Sequence, residues 1–184
     1  MSDAQDTFDP ARVVEFWSQA GFEAWFRKDD AFDQRFREQF LAAHEAAAAG
    51  KLDGWLATPQ SALALLLLLD QFPRNCFRGS PRMYATDALA RERARQALER
   101  GHDQAIEPTL RLFFYLPFSH SEDLADQERA VALSTPLGPE VAKHAIGHHD
   151  IVKRFGRFPH RNELLGRQST PEEQQFLAEG GFAG

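Results

Sequence analysis

A chain of 184 residues with 43% hydrophobic and 26% charged side chains can build one self-sufficient core, because a polypeptide of this size buries about 70% of its extended surface. Its one cysteine, Cys76, excludes an internal disulfide and any multi-cysteine metal centre and fits a cytoplasmic setting. A formal net charge of −6 disfavours nucleic-acid backbones, and the most apolar run, Ala62 to Leu69, is far shorter than the roughly 20 residues of a membrane span.

Residues 1–9 are polar and acidic, unlike a signal peptide, and read as a flexible tail. Asp9-Pro10 then predicts the start of a first helix bearing Val13, Val14, Phe16 and Trp17. Asp29 or Asp30 caps a second, in which Phe32, Phe36 and Phe40 share a face, and Gly50 stops it. Thr58-Pro59 opens a third through the leucine run to Phe72, where Pro73 predicts its end. Ser80-Pro81 opens a fourth that closes near Arg100 and Gly101. Glu107-Pro108 opens a fifth up to Pro117, and a sixth runs from about Ser121 to Ser134. Pro139 starts a seventh that Gly156 stops, and Thr170-Pro171-Glu172-Glu173 is a capping-box pattern for the last.

The expectation is an all-α fold without a sheet. About eight helices pack as antiparallel hairpins in a single domain over 1–184. One motif echoes. Asp70-Gln71-Phe72-Pro73-Arg74-Asn75 ends the leucine-rich helix, and Phe158-Pro159-His160-Arg161-Asn162 follows the seventh.

These two segments carry a resemblance, together with Glu15-Phe16-Trp17, Trp25-Phe26, Ala85-Thr86-Asp87, His120 through Gln127, and Leu165-Gly166-Arg167. The chain resembles the bacterial domain-of-unknown-function family numbered 924 over roughly residues 13–177. That resemblance implies a tetratricopeptide-like helical fold and no established activity.

The polar residues support two readings. His120, Ser121, Glu122, Asp123 and Asp126 suit a helix start, where the helix dipole favours acids and Ser121 can cap free amides. His120 with Glu122 could also form an acid/base pair, with His160 a further catalytic candidate. Arg74, Arg157 and Arg161 could grip an anion, or pair internally with the 120–128 acids and Asp70. Asn75, His148 and Asn162 complete the candidate binding set. His144 and His148 lie one helical turn apart, but neither zinc-protease nor di-iron spacing is present, so no metal and no cofactor is expected. Cys76 reads as inert. The favoured reading is a binding module for a small anionic molecule or a peptide, without nucleic-acid or membrane partners. The alternative is a cofactor-independent enzyme acting on a small anion.

Overall fold

The computed structural model describes residues 7–182, so residues 1–6 of the expected tail lie outside the described residues. The described residues contain no strand. Seven α-helices of eight residues or more and one seven-residue 3-10 helix correspond to the eight expected segments. They cluster into two compact units. One comprises the residues up to Arg78 with Arg82–Pro117, the other Gly79–Pro81 with the residues from Phe118 onward.

In the first unit, α1 (Pro10–Ala20) is capped by Asp9, whose carboxylate accepts from the Ala11 amide. It buries Val13, Val14 and Trp17. After a single turn at Phe22–Trp25, α2 (Asp30–Ala48) starts from Asp29, which accepts from the amides of Ala31 and Phe32. Its fourfold-spaced phenylalanines are buried, and Phe16 stacks on Phe32 and Phe36 at 5.0 and 5.2 Å. The third helix, α3 (Pro59–Leu66), is apolar on every side, and every residue from Ser61 to Pro73 is buried. A helix without a polar face belongs at the centre of a core, where each leucine contributes about 1.5–3 kcal/mol.

Pro73 does not end this helix, contrary to expectation. The chain passes through a π-helical turn, Leu67–Gln71, and continues as helix over Phe72–Cys76. Proline has no N–H, so the Leu69 carbonyl loses its ordinary donor four residues on, and the Leu68 carbonyl loses the donor five residues on. Side chains from other elements replace both. His44 Nδ1 lies 2.9 Å from Leu68 O, and Thr86 Oγ1 donates to Leu69 O at 2.5 Å. A carbonyl can only accept, so His44 carries its proton on Nδ1. Burial holds its pKa below the ordinary histidine value, keeping the ring neutral.

One start and one helix type also differ from expectation. The fourth helix, α4 (Asp87–Glu99), begins after a separate 3-10 turn at Pro81–Tyr84, and its buried face is Ala90, Ala94 and Ala97. The fifth segment is a 3-10 helix, Pro108–Phe114, followed by a turn at Leu116–Ser119 that contains Pro117. Pro117 removes the donor that the Phe113 carbonyl would use in an α-helix, and the Tyr115 amide bonds three residues back to Leu112 instead.

In the second unit, the sixth helix, α5 (Leu124–Ser134), is capped by Asp123 rather than by Ser121. Asp123 Oδ1 accepts from the amides of Ala125 and Asp126, while Ser121 Oγ donates to the Asp126 carboxylate at 2.8 Å. A short link, with Gly138 at φ +117°, joins α5 to α6 (Pro139–Phe155), and the two pack as a helical hairpin. Gly156, at φ +71°, stops α6 in the left-handed conformation that glycine adopts without cost. Ile151, Val152 and Phe158 form a core with Phe155 and Phe176 packed against it. The last helix, α7 (Pro171–Ala178), carries the expected capping box: Thr170 accepts from the Glu173 amide while Glu173 accepts from the Thr170 amide.

Candidate functional site

The first-unit candidates lie where α3 leaves its π turn. The Arg74 guanidinium donates to both Asp87 oxygens at 2.8 and 2.9 Å, and to the Asp70 backbone and carboxylate at 3.0 and 3.4 Å. Burial opposes its charge, but Asp70 and Asp87 outweigh it and hold the pKa above the ordinary arginine value. Asn75 donates to Asp33 Oδ1 at 2.7 Å, and Arg78 takes the other Asp33 oxygen. Asp70, Arg74 and Asn75 thus brace the helix through internal pairs. Of the partners that complete these pairs, Asp33 carries no local sequence signal, and Asp87 stands out only within the Ala85-Thr86-Asp87 segment of the resemblance. Burial pushes the Cys76 thiol up to about 12, and its Sγ points to the Asp33 carbonyl. Elsewhere in this unit a shallow groove of about 610 Å³ runs past Val14, Ser18, Gln60, Ile106 and Leu110. None of the candidate residues lines it.

The remaining candidates fall in the second unit, in two groups. The first is a closed ionic network. Glu122 receives two bonds from Arg167, at 2.7 and 2.9 Å, and one from the Phe158 amide at 2.8 Å. Burial alone would raise its pKa; the Arg167 guanidinium and that amide outweigh it and hold the carboxyl below the ordinary range. Arg167 also donates to Asn162 Oδ1, and Asn162 Nδ2 donates to Glu173. Arg157 grips Glu173 with two bonds, at 2.6 and 2.8 Å, rather than the 120–128 acids. The bonds from Arg157, together with those from the Thr170 amide and Asn162, take the Glu173 carboxyl down to about 2. Asp123 and Asp126 are occupied at the start of α5. Arg167 and Glu173 hold this network together. The sequence marks Glu173 only as a capping residue, because its pairing with Arg157 spans sixteen positions.

The second group is a cluster of bases around the Phe158 ring. His148 projects from α6. His120 precedes α5, and His160 and Arg161 lie in the 3-10 turn Pro159–Arg161. The rings of His120 and His148 are 6.3 Å apart. His148 packs edge-on to buried Phe158 at 5.5 Å, His160 lies 5.6 Å from the same ring, and the Arg161 guanidinium sits 4.5 Å from its centre. Arg161 also donates to the His120 carbonyl at 2.9 Å. His148 Nδ1 is buried and has no hydrogen-bond partner. Burial, followed by the charges of His120, Arg161, His160 and His144, takes the His148 pKa down to about 3. Among the described residues, no three His, Cys, Asp or Glu side chains are placed to hold a metal ion. No described helix is long and apolar enough to cross a membrane.

A solved structure described as a protein of unknown function, ATU0120 from Agrobacterium tumefaciens, is 60% identical and superposes with a TM-score of 0.92. The match covers 93% of this chain and 97% of that one. No curated protein matches. The model of the family described as "Bacterial protein of unknown function (DUF924)" matches residues 13–181, and the chain belongs to that family.

Proposed function

We propose that the protein is a cytoplasmic binding module, tetratricopeptide-like in arrangement, that takes a small anionic molecule or acidic peptide at the basic cluster of its second unit. The observation that carries this reading is His148. A buried ring nitrogen without a partner costs stability unless something else repays it, and an oxygen-bearing ligand supplies the missing bond. His120, His160 and Arg161 around it favour a negative ligand on a chain whose net charge is −6. The catalytic alternative asks His120 and Glu122 to move a proton. Both Glu122 oxygens are engaged by Arg167 and the Phe158 amide, and its lowered pKa suits a fixed anion better than a proton carrier. A thermal-shift screen of small anions tests the binding reading. A stabilising hit on the wild type should disappear in His120→Ala and His148→Ala. A hit that survives both substitutions places the ligand elsewhere and refutes the reading.

A further inference from the structure

Two features of the first unit stand side by side, an exposed pair of aromatic rings and the apolar groove. Phe22 and Phe26 are 59% and 54% exposed, yet other rings brace them. They meet edge-to-face at 5.5 Å, Phe22 stands edge-on to Trp25 at 6.0 Å, and Phe26 stacks on buried Phe113 at 6.4 Å. Trp25 is itself anchored, since its indole N–H donates to the Trp17 carbonyl at 2.6 Å. Gly21, at φ +77°, turns the chain out of α1 into this ridge. The groove is built on the same elements. Val14 and Ser18 line it from α1, and Leu110 lines it from the 3-10 helix that carries Phe113. Side chains three apart eclipse in a 3-10 helix, so Leu110 in the groove and Phe113 beneath Phe26 share a face. Ridge and groove are therefore neighbours on one surface.

We propose that this surface pairs two copies of the chain about a twofold axis, with the Phe22–Phe26 ridge of each copy seated in the groove of the other. A twofold contact uses the same patch on both copies, so a ridge beside a depression is self-complementary. The chemistry of the two halves agrees. Val14, Pro59, Ile106 and Leu110 make the groove apolar, and braced aromatic rings are the side chains that carry most of the energy at such contacts. The charges agree as well. Glu107 brings a carboxylate to the groove, where Thr109 donates to one of its oxygens. Arg27 and Lys28 follow the ridge, and their ion pairs with Asp29 and Asp30, at 3.7 and 3.6 Å, are open to water and contribute little. The twofold contact brings these cations toward Glu107 of the other copy. Each ring leaves about 100 Å² open, roughly half of what an aromatic side chain can bury. Four rings and the walls they cover then amount to about 800 Å², which the polar flanks must extend to reach the roughly 1,200 Å² of a small stable interface. The pairing is accordingly weak and concentration-dependent. It concerns the first unit and is independent of the anion-binding reading.

Sedimentation equilibrium of the full chain, from about 1 to about 500 µM, provides the test. The expected result is a reversible monomer–dimer equilibrium with a Kd on the order of 10–100 µM. Phe22→Ser and Phe26→Ser should each weaken it at least about tenfold. Both rings are more than half exposed, so both variants should keep the wild-type circular dichroism. Glu107→Lys and Lys28→Glu probe the register without touching a ring. Each alone should weaken the dimer about threefold or more, and the two substitutions in one chain should restore it. A monomer throughout the concentration range overturns the proposal. A dimer unaffected by both serine substitutions places the interface elsewhere and overturns it too. So does a doubly substituted chain that pairs no more tightly than the single charge variants, and these charge variants decide alone if a serine variant unfolds.

Discussion

The π turn in the central helix makes a quantitative demand on Thr86. Its hydroxyl donates to the Leu69 carbonyl at 2.5 Å, and both groups are buried. Pro73 withholds the amide that would serve Leu69 in a regular helix. Thr86→Val keeps the side-chain volume and removes only the donor. The cost is then that of one orphaned buried carbonyl, about 1–3 kcal/mol. For a chain of this length each kcal/mol moves the thermal midpoint about 2–4 °C, so a mid-range loss lowers Tm by about 4–8 °C. A second background isolates the cause. Pro73→Ala restores an amide four residues beyond Leu69, so Thr86→Val should cost at least about 0.5 kcal/mol less in Pro73→Ala than in the wild type. Urea unfolding of the four proteins measures this cycle. Strict additivity, or a Thr86→Val loss below about 0.5 kcal/mol, refutes the account of how the helix passes its proline.

Histidine burial sets a pH dependence. His44 and His148 both titrate below the ordinary 6.5 when folded. As pH falls below that value the unfolded chain takes up protons first, and stability drops through the window down to about 3 for His148. His148→Phe should flatten the slope of unfolding free energy between about pH 6.5 and about pH 5. The lowered carboxyls of Glu122 and Glu173 contribute above their ordinary 4.5 and lose that contribution only at lower pH; an unaltered slope in His148→Phe would contradict the burial assignment. Arg161→Ala removes a charged donor from the His120 carbonyl and should cost about 1.5–3 kcal/mol in denaturant unfolding. Unchanged stability would show that this bond contributes nothing. Cys76, with its thiol pushed up to about 12, should react with a disulfide reagent at mildly alkaline pH only as the protein unfolds. Rapid labelling of the native protein would contradict the raised thiol pKa.

Local signals made most of the fold legible. Asp9, Asp29 and Thr170 each cap within three residues, and Gly156 ends its helix by a conformation that needs no distant partner. Signals failed where the decisive group came from elsewhere in the chain. Pro73 looked terminal because its substitute donors are His44 and Thr86, which lie outside the helix. Ser121 looked like the cap of α5, yet Asp123 caps it, because Ser121 is drawn to Asp126. The candidate site divided in the same way. His120, His148, His160 and Arg161 were recognisable as chemistry-bearing residues, but their meeting around Phe158 depends on the α5–α6 hairpin and the 159–161 turn. The commitment of Glu122 to Arg167 spans forty-five positions, which no spacing rule reaches.

The π turn also has a consequence for how the segment is compared with others. It amounts to one additional residue threaded into a helix, and every side chain beyond it is rotated by about 100° relative to an uninterrupted α-helix. Phe72, whose amide reaches back five residues to Leu67, marks where the shift takes hold. Arg74 and Asn75 meet Asp87 and Asp33 from that rotated position. Any superposition that treats Pro59 to Cys76 as one straight α-helix will place these two residues on the wrong side of the cylinder. Deleting a single residue between Leu67 and Gln71 would therefore turn the segment into a regular α-helix with the Phe-Pro-Arg-Asn group still facing its acids.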